Sequence, residues 1–204
     1  MSLTEQSIRD LLTAFSSGDP TPGGGSASAL ASALGASLLM MVAGLPKSRT
    51  GSDEDRLALA NAAGALTDIR DGLTAAIDAD AAAYDRVVAA YKLPKGSADE
   101  QAARQAAIQQ ALRGATDVPL SVMRRSAGAL VLSVAVGAHG YRAAASDIGV
   151  AVALLRAGLR GARLNVEINL GSISDVEYAG AVSAEAARLT GAASKAADEA
   201  DALL

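Results

Sequence analysis

The sequence contains no cysteine, which excludes disulfides, thiolate metal sites and a cysteine nucleophile together. Its single histidine, His139, argues against a histidine-based metal centre, so no metal is expected. Tryptophan is absent and phenylalanine occurs once, as Phe15. With four tyrosines besides, the interior must be filled by Ala, Leu and Val. No long basic run occurs, and the formal net charge is −4 with a pI near 5.0, which argues against a nucleic-acid partner. The N-terminus carries Glu5, Arg9 and Asp10 and lacks an apolar signal core, so a cytoplasmic protein is expected.

Half of the residues are hydrophobic, ample for a core in a single domain over residues 1–204. Alanine is the best helix former, and small side chains let helix axes approach closely. The expected fold is all-α, an Ala-rich helical bundle. Helices this apolar and this poor in bulk need a partner surface, so an intimate homodimer is expected.

Along the chain, Ser2-Leu3-Thr4-Glu5 reads as a capping box opening a short helix that ends near Ser17, with Ile8, Leu11, Leu12 and Phe15 on one face. Residues 18–25 form a loop, and an apolar helix follows over about 26–44. Residues 27–45 carry no charge and are roughly long enough to span a bilayer. They are mostly Ala, Ser and Gly, which insert weakly, so the reading is a helix buried in a bundle or dimer, with no membrane partner. Ser52 with Asp55 caps a stretch over about 53–91 without proline, either one long helix or one bent near Gly64 and Gly72. Ser97 with Glu100 begins another, ending near Ala115, and Pro119 fits the first turn of a further helix ending near Val136. A loop over 137–142 precedes a helix over about 144–163. In 165–172, Val166, Ile168 and Leu170 alternate as in a strand, but a lone strand has no partner, so a helical or irregular segment is expected. Ser174 with Glu177 opens the last helix.

Pro22-Gly23-Gly24-Gly25-Ser26 stands directly before the apolar helix. Glycines let a backbone approach a ligand, and a helix start favours an anion. A flexible turn with Ser26 as the N-cap is the plainer reading of the same run.

The longer run Pro20-Thr21-Pro22-Gly23-Gly24-Gly25-Ser26, followed by an Ala/Gly helix, does not stand alone. Met41-Val42 follows, then Asp78-Ala79-Asp80, Tyr84 and Leu93-Pro94-Lys95. After these come Val118-Pro119-Leu120, Ser146-Asp147, 162–165, Asn169-Leu170 and Asp175. In this order and spacing, across roughly residues 5–180, the chain resembles the formiminotetrahydrofolate cyclodeaminase / methenyltetrahydrofolate cyclohydrolase family. The resemblance implies an all-helical homodimer with folate sites near the subunit interface. It implies hydrolysis of 5,10-methenyltetrahydrofolate to 10-formyltetrahydrofolate, cyclisation of 5-formimino-tetrahydrofolate with ammonia release, or both. It implies no cofactor beyond the tetrahydrofolate substrate. Val118-Pro119-Leu120 resembles the start of a helix in that family.

The methenyl bridge is an amidinium-like cation, which a nearby carboxylate stabilises while orienting or deprotonating water. Asp78 and Asp80 are two apart on a helix and point in different directions, whereas Asp80 and Tyr84 share a face. With the resemblance, Asp80 is the expected catalytic carboxylate, and Asp78 and Tyr84 are substrate-binding candidates; without it, Asp80 reads as part of a solvated helix face. Asp147 either acts with Asp80 or favours its own helix start. Asn165 and Asn169 share a helical face and could hold a pterin ring by amide donors and acceptors, or could be satisfied by backbone. Lys47 and Arg49 either reach the glutamate tail of folate or are surface charge. Arg124 and Arg125 are further candidates, and His139 is read as a loop residue without a role.

The family has a tyrosine-ending stretch where this chain has 46–52, and a Gly-Asn pair where it has Gly140-Tyr141. These departures motivate a second reading, a catalytically inactive folate-binding or scaffold protein on the same fold.

Overall fold

Capping side chains mark where the chain enters its helices. Ser7 accepts from the Asp10 N–H at 3.2 Å and Ser52 from the Asp55 N–H at 3.1 Å. Ser97 and Glu100 form a reciprocal capping box, and Asp175 accepts from the Tyr178 N–H at 3.0 Å. The computed structural model describes residues 2–204 and is all-α. Its helices are α1 (Ile8–Phe15), α2 (Gly24–Ala43), α3 (Asp53–Tyr91), α4 (Ala98–His139), α5 (Ala145–Leu170) and α6 (Val176–Asp201).

Four expectations are corrected. Ser2 caps only a 3-10 turn, Leu3–Glu5, and α1 begins separately after Ser7. α2 starts at Gly24, inside the glycine run, so Ser26 is not its N-cap. Pro119 does not start a helix: α4 runs 42 residues straight through it. Asp175, not Ser174, caps α6, and Ser174 is instead held by Gln109 through its N–H at 2.8 Å and hydroxyl at 2.9 Å. The alternating segment 165–170 is helical, the last turns of α5.

α3 and α4 form a long hairpin, and α2 lies at the centre, packed on α3, α4 and α5. By length and composition α2 and α4 could cross a membrane, yet over half of each apolar stretch is buried by the protein itself. Leu39, Leu66, Leu73, Leu120, Met123, Leu130 and Leu155 are fully buried, each contributing roughly 1.5–3 kcal/mol by leaving water. Between them the packing is of small residues. A Cβ on Gly35 would lie 2.8 Å from the Ala151 carbonyl, and one on Gly158 would lie 2.6 Å from the Ser28 carbonyl. Glycine at these two points is what lets α2 and α5 touch backbone to backbone. The buried hydroxyls of Ser32 and Ser126 satisfy one another across α2 and α4 at 2.7 Å.

Candidate active site

α2 begins against the middle of α3. The Ser26 N–H, in the first turn of α2, donates to Asp80 Oδ2 at 2.8 Å, and the Ser26 hydroxyl lies 3.1 Å from the same oxygen. The hydroxyl shares its one proton between that oxygen and the Ile77 carbonyl at 2.8 Å, so Ser26 bridges α2 to α3. Gly25 is buried against the Asp80 carboxylate, where any Cβ would overlap it. The glycine run thus serves a close approach by the chain's own carboxylate. Asp80 is half-buried, and its pKa is raised because burial disfavours the charged form more than the Ser26 donors favour it.

Asp80 opens on a cleft of about 390 Å³. The glycines 23–25 form one wall and Asp80, Tyr84 and Val87 of α3 another. Leu112 and Ala115 of α4, with Asn165, Ile168 and Asn169 of α5, close it. Val87 and Leu112 belong to a small apolar cluster at this end of the hairpin, giving the cleft a dry side. The two amides are turned alike. Asn165 donates Nδ2–H to the Gly161 carbonyl at 2.9 Å, and Asn169 donates Nδ2–H to the Ala115 carbonyl at 2.8 Å. Each keeps its oxygen as a remaining acceptor. The site therefore offers one carboxylate of raised basicity, two amide acceptors one turn apart, a tyrosine and an apolar wall. That set suits a flat heterocycle with N–H donors and a reacting cation.

Of the expected site residues, Gly23, Gly24, Gly25, Asp80, Tyr84, Asn165 and Asn169 line this cleft, and Ser26 supports it from behind. Pro22 sits in the preceding loop, where Pro20 and Thr21 take the lining positions. The structure places four others elsewhere. Asp78 faces the N-terminus and accepts from Leu3 N–H and Ser2 Oγ, both at 2.6 Å, and from Thr4 Oγ1 at 3.0 Å. Lys47 lies over the Tyr141 ring, 5.4 Å from its centre. Arg49 donates to the carbonyls of Gly137 and Ala138 at the end of α4 and of Leu203. Asp147 begins α5, 18 residues before Asn165, about 27 Å away at 1.5 Å per residue. It does not reach Asp80 of the same chain. Arg124 pairs with Glu185 at 2.7 Å, and Arg125 packs on Gly72 and bonds Ser121.

His139 has a partner that its sequence gave no reason to expect. It ends α4 and bonds Asp55 Oδ1 at 2.9 Å, while Thr50 donates to Oδ2 through N–H at 2.6 Å and hydroxyl at 2.8 Å. These donors, His139 foremost, hold the Asp55 carboxyl well below the usual carboxylate range. Val87, Leu112, Ala115, Ile168 and Ser172 also line the cleft and were not expected there. The signal for Ala115 was present: Pro119, four residues on, lacks the N–H that would otherwise cover its carbonyl. Among the described residues, no group of three or more His, Asp or Glu side chains is gathered as a metal site would need.

Comparison with known proteins places this geometry. The family model described as Formiminotransferase-cyclodeaminase matches residues 7–188. A methenyltetrahydrofolate cyclohydrolase from Methylorubrum extorquens is 40% identical over 174 residues, 85% of this chain and 84% of the relative. A formimidoyltransferase-cyclodeaminase from Gallus gallus is 34% identical over 77% of this chain, which spans 29% of that longer protein. The crystal structure of formiminotetrahydrofolate cyclodeaminase from Thermotoga maritima superposes with a TM-score of 0.88 over 100% of this chain and 98% of that one. At 24% identity that likeness establishes the fold. From the match over residues 7–188 and the 40% identity together, the chain belongs to the formiminotransferase-cyclodeaminase family.

Proposed function

We propose that this chain hydrolyses 5,10-methenyltetrahydrofolate to 10-formyltetrahydrofolate, with Asp80 as the general base. The observation that carries the reading is the Asp80 carboxylate, half-buried at the cleft and fixed by two donors of Ser26. The methenyl carbon lies between two ring nitrogens that share a positive charge. Water adds to that carbon while its proton passes to Asp80. The carbinolamine then breaks its bond to N5, which takes up the proton, and the formyl group remains on N10. One water is consumed and one proton released overall. Asp80 contributes charge stabilisation of the cation and a base whose raised pKa improves proton transfer. Asn165 and Asn169 accept from the pterin N–H edge, and Val87 and Leu112 exclude water from the far side. The step uses only water and side chains of this protein.

Closure of 5-formimino-tetrahydrofolate is the second reading. The raised pKa of Asp80 favours it, because a carboxyl that retains its proton can donate to the departing ammonia.

The protein acts as a homodimer in this reading. Ala27, Leu34 and Met41 of α2 stand exposed at seven-residue spacing, beside exposed Val150, Leu164 and Ile168 of α5. An apolar face of that repeat suits a second pair of helices. Ile168 belongs to both the face and the cleft, so a second copy would lie at the rim of the site.

The test is loss of near-UV absorbance of 5,10-methenyltetrahydrofolate, with the non-enzymatic rate subtracted. Rapid loss with the parent protein, reduced on the order of 10²–10⁴-fold in Asp80→Asn, supports the assignment. Tight binding without loss, and without ammonia release from the formimino compound, would leave an inactive folate-binding protein.

A further inference from the structure

α4 passes through Pro119 without a break. Proline has no N–H to donate, and its ring crowds the carbonyl four residues earlier. The Ala115 carbonyl is therefore deprived of its α-helical donor, at a position that lines the cleft. The vacancy is filled from another helix by Asn169 of α5, whose Nδ2 lies 2.8 Å from that oxygen. A carbonyl can only accept, so the atom facing it must be the amide nitrogen. The orientation of Asn169 is thereby chosen: nitrogen on Ala115, oxygen left for a ligand. Asn165 is oriented by its own helix, through Gly161. Asn169 alone depends on a residue of α4 that the cleft does not touch.

We propose that Pro119 is a positioning residue for substrate binding. By withholding an N–H it frees the Ala115 carbonyl, which locks the Asn169 amide and presents Asn169 Oδ1 as an acceptor for an N–H donor on the pterin edge. The inference rests on the reading of the cleft as a tetrahydrofolate site. With alanine at 119 a helical N–H returns to compete with Asn169 for the Ala115 carbonyl, which is drawn back toward the helix axis and holds the Asn169 amide less firmly. A loosened amide presents a donor as readily as an acceptor, and a donor facing a donor weakens binding.

The experiment compares the parent, Pro119→Ala, Asn169→Ala and the double variant in the full chain as purified, measuring KM, kcat and Tm. Pro119→Ala is expected to raise KM roughly tenfold, the effect of one neutral hydrogen bond. Its kcat stays within about twofold, since the reacting centre is untouched. Its Tm stays at or above that of the parent, because alanine suits a helix interior better than proline. Asn169→Ala raises KM to a similar extent, and the double variant no further. An unchanged KM in Pro119→Ala, additive effects in the double variant, or loss of helical structure in Pro119→Ala would each overturn the proposal. If the parent shows no turnover, the functional reading fails separately. Tetrahydrofolate binding by calorimetry then replaces KM, and equal affinity of parent and Pro119→Ala overturns the inference.

Discussion

Ser26 approaches Asp80 with both of its donors, the backbone N–H at 2.8 Å and the hydroxyl at 3.1 Å from Oδ2. One donor is fixed by the start of α2 and the other can be removed by mutation. Burial raises the Asp80 pKa and the Ser26 hydroxyl lowers it, so Ser26→Ala should raise it further. The acid limb of the kcat/KM profile for the methenyl substrate, where the base is lost to protonation, should move to higher pH in Ser26→Ala. A limb unmoved, or moved to lower pH, would dissociate it from Asp80.

Stability should respond to Asp80 in the opposite sense to activity. A carboxyl whose folded pKa is raised favours the fold while protonated, below its unfolded pKa, and that advantage is lost as pH rises through the folded pKa. Asp80→Asn keeps the group neutral at every pH. Its Tm at pH 7 should therefore equal or exceed that of the parent, with the difference shrinking toward pH 4. Thermal melts across that range would check the sign.

Gly25→Ala should separate activity from folding. The added methyl overlaps the Asp80 carboxylate, which must leave its Ser26 donors to make room. Turnover should fall on the order of 10²-fold, as for a misplaced catalytic group. Losing the Ser26 contact costs on the order of 1 kcal/mol, so Tm should fall modestly while turnover falls far more. Circular dichroism melts alongside kinetics would show both.

Gly158→Ala should do the reverse. The new methyl meets the Ser28 carbonyl at 2.6 Å, and backbone cannot swing aside. Overpacking of this kind costs about 1–3 kcal/mol. The cost should appear in urea unfolding, with little change in rate per folded molecule.

Asp55→Asn should weaken the junction of the 46–52 loop with the end of α4. The Asp55 pKa is depressed in the fold, so its stabilisation is present above the unfolded value near 3.8 and is lost as pH falls toward the folded one. The variant should melt earlier than the parent at pH 7, and the two should converge below pH 4. Equal Tm at neutral pH would remove Asp55 from this role.

Helix identity was legible in the sequence because alanine content and capping residues act locally, as Ser52, Ser97 and the unbroken 53–91 stretch illustrate. Pro119 misled because tertiary packing carried α4 through a residue that usually starts or breaks a helix. That Asp78 and Asp80 point apart followed from helical geometry, while the preference for Asp80 also needed the resemblance; the structure sends the two to different partners. Lys47, Arg49 and Asp147 were beyond such reasoning. Their distance from the cleft is set by the length of α5 and by how the 46–52 loop folds onto α4, which no local pattern encodes.

The backbone contact between α2 and α5 also bears on how this protein can change over time. Where Gly35 meets the Ala151 carbonyl and Gly158 meets that of Ser28, no spare volume remains for a side chain to grow into. At these contact points of α2, Ser28, Ser32 and Gly35, there is room only for the smallest side chains. New specificity must then arise elsewhere, at the larger side chains of the rim such as Val87, Leu112 and Ile168, where one methyl more or less reshapes the cleft without parting the helices.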